Sequence, residues 1–93
     1  MSYKIDFLEE ALREWKKLDS AIQLQFKKKL VKVLETPRIP KNKLRNNPDR
    51  YKIKLRSRGY RLVYEVKDTE IVVIVVSVGR RDQSLVYKVA DLR

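Results

Sequence analysis

With no histidine and no cysteine among its 93 residues, the chain must draw any acid–base or nucleophilic chemistry from Tyr, Lys, Arg or a carboxylate. The residues that concentrate are Lys52, Lys54, Arg61 and Arg81, with Tyr87 close behind them in the sequence. Cations set around a phosphodiester stabilise the extra negative charge of a pentavalent transition state, which is the main requirement of transphosphorylation. Crowded positive charge also favours the deprotonated form of a neighbouring tyrosine or lysine. A tyrosinate base and a cationic acid can thus replace the missing histidines, although the same residues would serve simple RNA binding about as well. The sequence contains no metal-ligand cluster, no phosphate-cradling glycine loop and no Ser/His/Asp set, so no cofactor or metal is expected.

The distribution of charge points the same way. The net charge is +11, yet residues 1–36 hold eight Lys/Arg against six Asp/Glu, and residues 62–93 hold five of each. Residues 37–61 carry ten cations against the single acid Asp49. Charge added for solubility alone has no need to be segregated; a field confined to one segment implies a polyanion met by one face, and nucleic acid is the commonest.

The elements that must position these residues begin with YKIKLRSRGYR, residues 51–61. Apolar Tyr51, Ile53 and Leu55 alternate with cationic Lys52, Lys54 and Arg56, the period of a half-buried strand. Ser57-Arg58-Gly59 reads as a turn with Gly where a positive φ is needed, and Tyr60–Tyr64 as the returning strand. The expected hairpin carries Lys52, Lys54 and Arg61 together on an open face. Lysine on an edge strand also guards against edge pairing, which is the alternative reading of Lys52 and Lys54.

Upstream, residues 3–7 alternate as a short strand, and Leu8, Ala11, Leu12, Trp15 and Leu18 recur at helical spacing. Asp6 with Glu9 has the form of a capping box for a helix over 8–17. Trp15 lies on the apolar stripe and is expected in the core rather than as a base-stacking platform. Asp19 or Ser20 can cap a second helix that buries Ile22, Phe26, Leu30, Val33 and Leu34, with Lys27, Lys28, Lys29 and Lys32 mostly outside as a solvated face or a phosphate contact. Thr36-Pro37 ends it. The loop PRIPKNKLRNNPDR, residues 37–50, has only Ile39 and Leu44 as aliphatic anchors, and its Arg38, Lys41, Lys43 and Arg45 suit a phosphate backbone.

Downstream, residues 67–70 form a polar turn and the β-branched run 71–78 a central strand buried on both faces. Gly79 is expected to break it and residues 80–83 to turn. Ser84 then caps a last helix carrying Leu85, Val86, Val89 and Leu92, with Tyr87 among them. The expected fold is a single α+β domain over residues 1–93 in the order β-α-α-β-β-β-α, an antiparallel sheet core with an N-terminal helical hairpin packed on one face. No apolar run reaches membrane-span length and the N-terminus, with Asp6, Glu9 and Glu10, is unlike a signal peptide, which reads as cytoplasmic.

The stretches KKLVKVLETPRI, NKLRNNPDRYKIKLRSRGYRLVYEV and VVSVGRRDQSLVY resemble the RelE family of toxins from bacterial and archaeal type II toxin–antitoxin systems, over essentially the whole chain. RLVYEV occurs widely in the RelE/ParE superfamily. The combined set Lys52-x-Lys54, Arg61, Arg81 and Tyr87 is specific to its ribosome-dependent mRNA interferases. The resemblance implies the same α+β fold and cleavage of mRNA in the ribosomal A site, with the 2′-hydroxyl as nucleophile and a 2′,3′-cyclic phosphate and a 5′-hydroxyl as products. It implies Tyr87 as general base assisted by Lys52, Arg81 as general acid, and Lys54 and Arg61 as stabilisers of charge on the scissile phosphate. Arg45 would hold substrate or ribosomal RNA, while Lys28, Lys32, Arg38, Lys41 and Lys43 would contact 16S rRNA. The partners implied are a RelB-like antitoxin, the 70S ribosome, and operator DNA only through the antitoxin complex. One departure is that the chain stops at Arg93, which leaves the last helix short and the mode of neutralisation open. Two other readings stand beside this one, a non-catalytic RNA-binding module and a gyrase-directed toxin of the same superfold.

Overall fold

The computed structural model describes residues 2–45, 47–55, 59–80 and 85–93, and the expected element order is present in them. The elements are β1 (Lys4–Phe7), α1 (Glu9–Lys16), α2 (Ser20–Glu35), a 3-10 turn (Pro40–Asn42), β2 (Arg50–Leu55), β3 (Tyr60–Lys67), β4 (Val72–Arg80) and α3 (Leu85–Asp91). The strands lie in the order β1-β4-β3-β2.

β2 pairs antiparallel with β3, and β3 with β4, but β1 runs parallel to β4, with Lys4 opposite Val72 and Phe7 opposite Val75. The sheet is therefore mixed rather than wholly antiparallel. Strand direction leaves no mark on a four-residue alternation; it is set by the long connection between β1 and β4, which is ample for a parallel return.

Alternation along the strands sorts the sheet into two faces. Toward α1 and α2 point Tyr51, Ile53 and Leu55 of β2, Leu62, Tyr64 and Val66 of β3, and Val73, Val75 and Val78 of β4, closing one core with Ala11, Phe26 and Leu30. Trp15 belongs to it as expected, its ring 5.6 Å from Phe7 and 6.1 Å from Phe26. On the opposite face Val63 and Val76 pack against Val86 and Ala90 of α3. β4 is thus buried on both sides. A bulge lets it change phase: Val63 faces Ser77 and Tyr64 faces Val75, so Val76 is the extra residue. Ser77 Oγ donates to the Val86 carbonyl (3.0 Å), a bond available because the bulge turns this part of the strand to α3.

Several local expectations change. Asp6 does not cap α1; Leu8 holds the N-cap place with no side-chain bond, and the Asp6 carboxylate accepts from the Phe7 N–H (2.8 Å). The cause is that the Leu8 N–H donates to the Val75 carbonyl (3.0 Å), so sheet pairing extends past Asp6. Asp19 occupies the N-cap of α2, also without a side-chain bond. Gly79 does not end β4, because pairing with β3 continues through Arg61–Gly79 to Tyr60–Arg80. Ile71 lies outside the strand in a turn with φ +56°. Gly59 adopts φ +69° and its N–H donates to the Leu55 carbonyl (2.9 Å), as the hairpin reading required; Ser57 and Arg58 lie outside the described residues. The turn at 81–83 and the Ser84 cap lie outside them as well. Leu92 is 88% exposed, beyond the end of α3 rather than on its apolar stripe.

Two arginines fasten the C-terminal end of α3. Arg50 of β2 bridges Glu65 and the Ala90 carbonyl, and Arg93 grips both oxygens of Glu14 in α1 while bonding the Val76 carbonyl. Among the described residues no helix is long and apolar enough to cross a membrane.

Candidate active site

Lys52, Lys54 and Arg61 alternate with Ile53 and Leu62, so their side chains leave the sheet on the α3 side. Lys54 stands directly opposite Arg61, and Lys52 opposite Val63. The structure therefore brings these three cations together, with one difference from the open face expected. Arg61 is only 7% exposed. Its guanidinium donates to the Tyr60 carbonyl (3.0 Å), and among the described residues it meets no carboxylate within ion-pair distance. A nearly buried cation without a counter-charge is costly, and an anionic ligand is the natural complement.

Tyr87 lies on α3 and packs against the cluster that contains Val63, the cross-strand partner of Lys52. Its hydroxyl is buried and has no hydrogen-bond partner among the described residues. Arg81 lies outside the described residues.

At the edge of the sheet the cationic face turns a corner. β2 is an outer strand, and a groove between it and α2 is rimmed by Lys29, Lys32, Lys41, Lys52 and Lys54. The loop meets this edge at an isolated bridge from Lys43 to Tyr51. Of the residues expected to bind RNA, Lys32 and Lys41 line the groove, whereas Lys28, Lys43 and Arg45 are exposed outside it.

Arg38 is placed differently. Its guanidinium pairs with Asp68 (2.7 Å) and Asp49 (2.9 Å) and also donates to the Tyr51 hydroxyl and the Pro48 carbonyl. Those partners hold its pKa above the usual range, Asp68 first, and Arg38 holds the Asp68 carboxyl below its own. Asp68 also accepts from the Tyr3 hydroxyl (2.7 Å). The network ties the residue before β1, the loop and the β3–β4 turn together, which gives Arg38 a structural role as well. Beneath it Tyr51 and Tyr64 stack at 5.6 Å, and Tyr64, donating to the Pro37 carbonyl, has its pKa pushed up chiefly by burial.

Lys29, read in the sequence as one of a lysine run, also lines the groove. Its signal was the spacing of Gln25, Lys29 and Lys32, which sets all three on one helix flank; all three line the groove.

A mixed four-stranded sheet with two helices on one face and a short helix on the other, beside a cationic patch, defines a class when set beside known proteins. Residues 5–85 match the family described as ParE toxin of type II toxin-antitoxin system, parDE. Within these toxins the chain belongs to the RelE family: over all 93 residues, and 98% of the relative, it is 62% identical to the mRNA interferase toxin RelE of Escherichia coli K12. A double mutant of E. coli RelE in the free state superposes with a TM-score of 0.91 at 60% identity, covering 100% of this chain and 98% of that one. The toxin chain of the intact E. coli RelBE toxin–antitoxin complex gives 0.84 at 62% identity over 87% of this chain and 99% of that one.

Proposed function

We infer that the chain is the toxin of a type II toxin–antitoxin system, an endoribonuclease that cuts mRNA in the ribosomal A site and so stops translation. The single observation that carries the catalytic reading is the cluster of Lys54 opposite Arg61, beside Lys52, with Arg61 nearly buried and lacking a carboxylate among the described residues. Such a patch binds a phosphodiester more strongly as negative charge develops on it.

In the mechanism, Tyr87 with Lys52 takes the proton from the 2′-hydroxyl, whose oxygen attacks phosphorus. The bond to the 5′-oxygen breaks, Arg81 supplies that oxygen's proton, and the products are a 2′,3′-cyclic phosphate and a 5′-hydroxyl. Lys54 and Arg61 neutralise the pentavalent phosphate. Arg45, Lys43, Lys41, Arg38, Lys28 and Lys32 contact substrate or 16S rRNA. Because the Tyr87 hydroxyl is covered by its surroundings, RNA engagement has to turn it outward. A chain without histidine works best where the ribosome supplies substrate geometry. The setting is the cytoplasm, and the partners are a RelB-like antitoxin, the 70S ribosome and, through the antitoxin complex, operator DNA.

Primer extension on mRNA in a translating extract tests this reading. Cuts locked to the reading frame are expected, lost on Arg81→Ala and Tyr87→Phe with the fold intact; undiminished cutting by both variants would sink the mechanism. The match to the ParE model keeps one other reading in play, a gyrase-directed toxin. That protein would damage DNA and leave mRNA whole.

A further inference from the structure

The charged residues of β2 and β3 all alternate with the core positions, so Arg50, Lys52, Lys54, Arg61, Glu65 and Lys67 share the α3 side of the sheet. Glu65 is the only acid in the two strands. Register sorts the set: Lys54 faces Arg61, Lys52 faces Val63, and Arg50 faces Glu65. Lys52 therefore has two charged diagonal neighbours on β3, Arg61 to one side and Glu65 to the other. Diagonal positions lie about 7–8 Å apart, a span that long side chains close. By position alone, Glu65 is a ready partner for the lysine that the proposed chemistry needs.

Arg50 takes that carboxylate instead. Its Nε donates to Glu65 Oε1 at 2.9 Å, while Lys67 Nζ lies 3.4 Å from Oε2. A second arm of the guanidinium donates to the Ala90 carbonyl of α3, so Arg50 is fixed at two points. Its side chain is 12% exposed, against 42% for Lys67. A planar fork held in this way competes better for a carboxylate than a flexible, hydrated ammonium does. Among the described residues Lys52 makes no ion pair.

We propose that Arg50 is a positioning residue for Lys52: by binding Glu65 it keeps the one acid of β2 and β3 away from the ammonium that the substrate must meet. The proposal rests on the reading of the chain as an RNA-cleaving toxin with Lys52 in its site. Removing Arg50 frees Glu65 Oε1, a largely covered acceptor that needs a new donor, and Lys52 is the diagonal one.

Single-turnover cutting of mRNA on programmed ribosomes tests the role. Arg50→Gln should slow it by about tenfold, a fraction of the loss caused by deleting a charge-stabilising group outright. Glu65→Gln alone should cut like the parent, and the double variant Arg50→Gln/Glu65→Gln should recover to within about twofold of it. If Arg50 acts only by fastening α3 through Ala90, the double variant stays as slow as the single one, and the proposal falls. Full-rate cutting by Arg50→Gln would overturn it as well.

Urea unfolding gives a readout that needs no cleavage. In the Arg50→Gln background, Lys52→Gln and Glu65→Gln should be coupled, their joint effect on the unfolding constant departing from the product of the single effects by about threefold. In the parent background the two should act independently. Coupling in both backgrounds, or in neither, would overturn the proposal. Coupling confined to Arg50→Gln, with no mRNA cutting by the parent chain, would remove the cleavage reading and leave the hold of Arg50 on Glu65 standing.

Discussion

Lys54 and Arg61 face each other across β2 and β3, two cations in a position where cross-strand partners of like charge repel. Under the proposed function, the phosphate of the substrate lies against both and offsets that repulsion. Arg61→Met keeps the buried aliphatic volume and removes one of the charges. Thermal or urea unfolding should show a fold as stable as the parent or more stable by about 0.2–1 kcal/mol. Cleavage should fall on the order of a hundredfold. A marked loss of stability would show that the guanidinium serves packing rather than the phosphate.

Tyr87→Phe makes a complementary case. The hydroxyl is buried with no partner among the described residues, so its removal forfeits no bond seen there and relieves a desolvated polar group. Stability should hold or rise, by up to ~1 kcal/mol, while cleavage drops about 10²- to 10⁴-fold as for loss of a general base. Destabilisation with retained cutting would assign the tyrosine to the core.

The Arg93–Glu14 pair should control how firmly α3 lies on the sheet. Glu14 accepts two guanidinium bonds, at 2.9 and 3.0 Å, and the Val78 N–H at 3.2 Å. Glu14→Gln keeps an acceptor for Val78 and discards the charge. Hydrogen exchange of the α3 amides should quicken by about tenfold, as expected for roughly 1.4 kcal/mol of lost docking, with exchange in β2 and β3 unaffected. Equal acceleration throughout the chain would show a global effect instead of a local clamp.

Acid should loosen the Arg38 network. Arg38 first, then the Tyr3 hydroxyl, lowers the Asp68 carboxyl below its ordinary value. A depressed folded pKa means that the pair stabilises above the unfolded value, about 3.9, and that this contribution is lost as pH falls through the lower folded value. Asp68→Asn should therefore lower the melting temperature at neutral pH, and the gap from the parent should close below about pH 4. A gap that stays constant across this range would deny the carboxylate its role.

The helix stripes, the alternation in β2 and the burial of β4 were legible in the sequence because each is a local repeat read along the chain. So were the absence of histidine and the concentration of cations between residues 37 and 61. The Asp6 cap failed because a distant carbonyl on β4 claimed the Leu8 N–H, and the Gly79 break failed because β3 continued to pair. Both are cases of sheet pairing overriding a local signal.

The amino-acid sequence by itself thus determined that any acid–base chemistry must come from Tyr, Lys, Arg or a carboxylate, and that the positive charge is concentrated in residues 37–61, since residue type and net charge need no coordinates. Only the tertiary structure decided which cations are available to do it. Arg38 and Arg93 are neutralised by carboxylates 30 and 79 positions away, whereas Arg61 is buried without one among the described residues, and Lys29 reaches the carbonyl of Lys54. Such pairings depend on which strand edges and helix flanks meet, a long-range property that identical local patterns leave open.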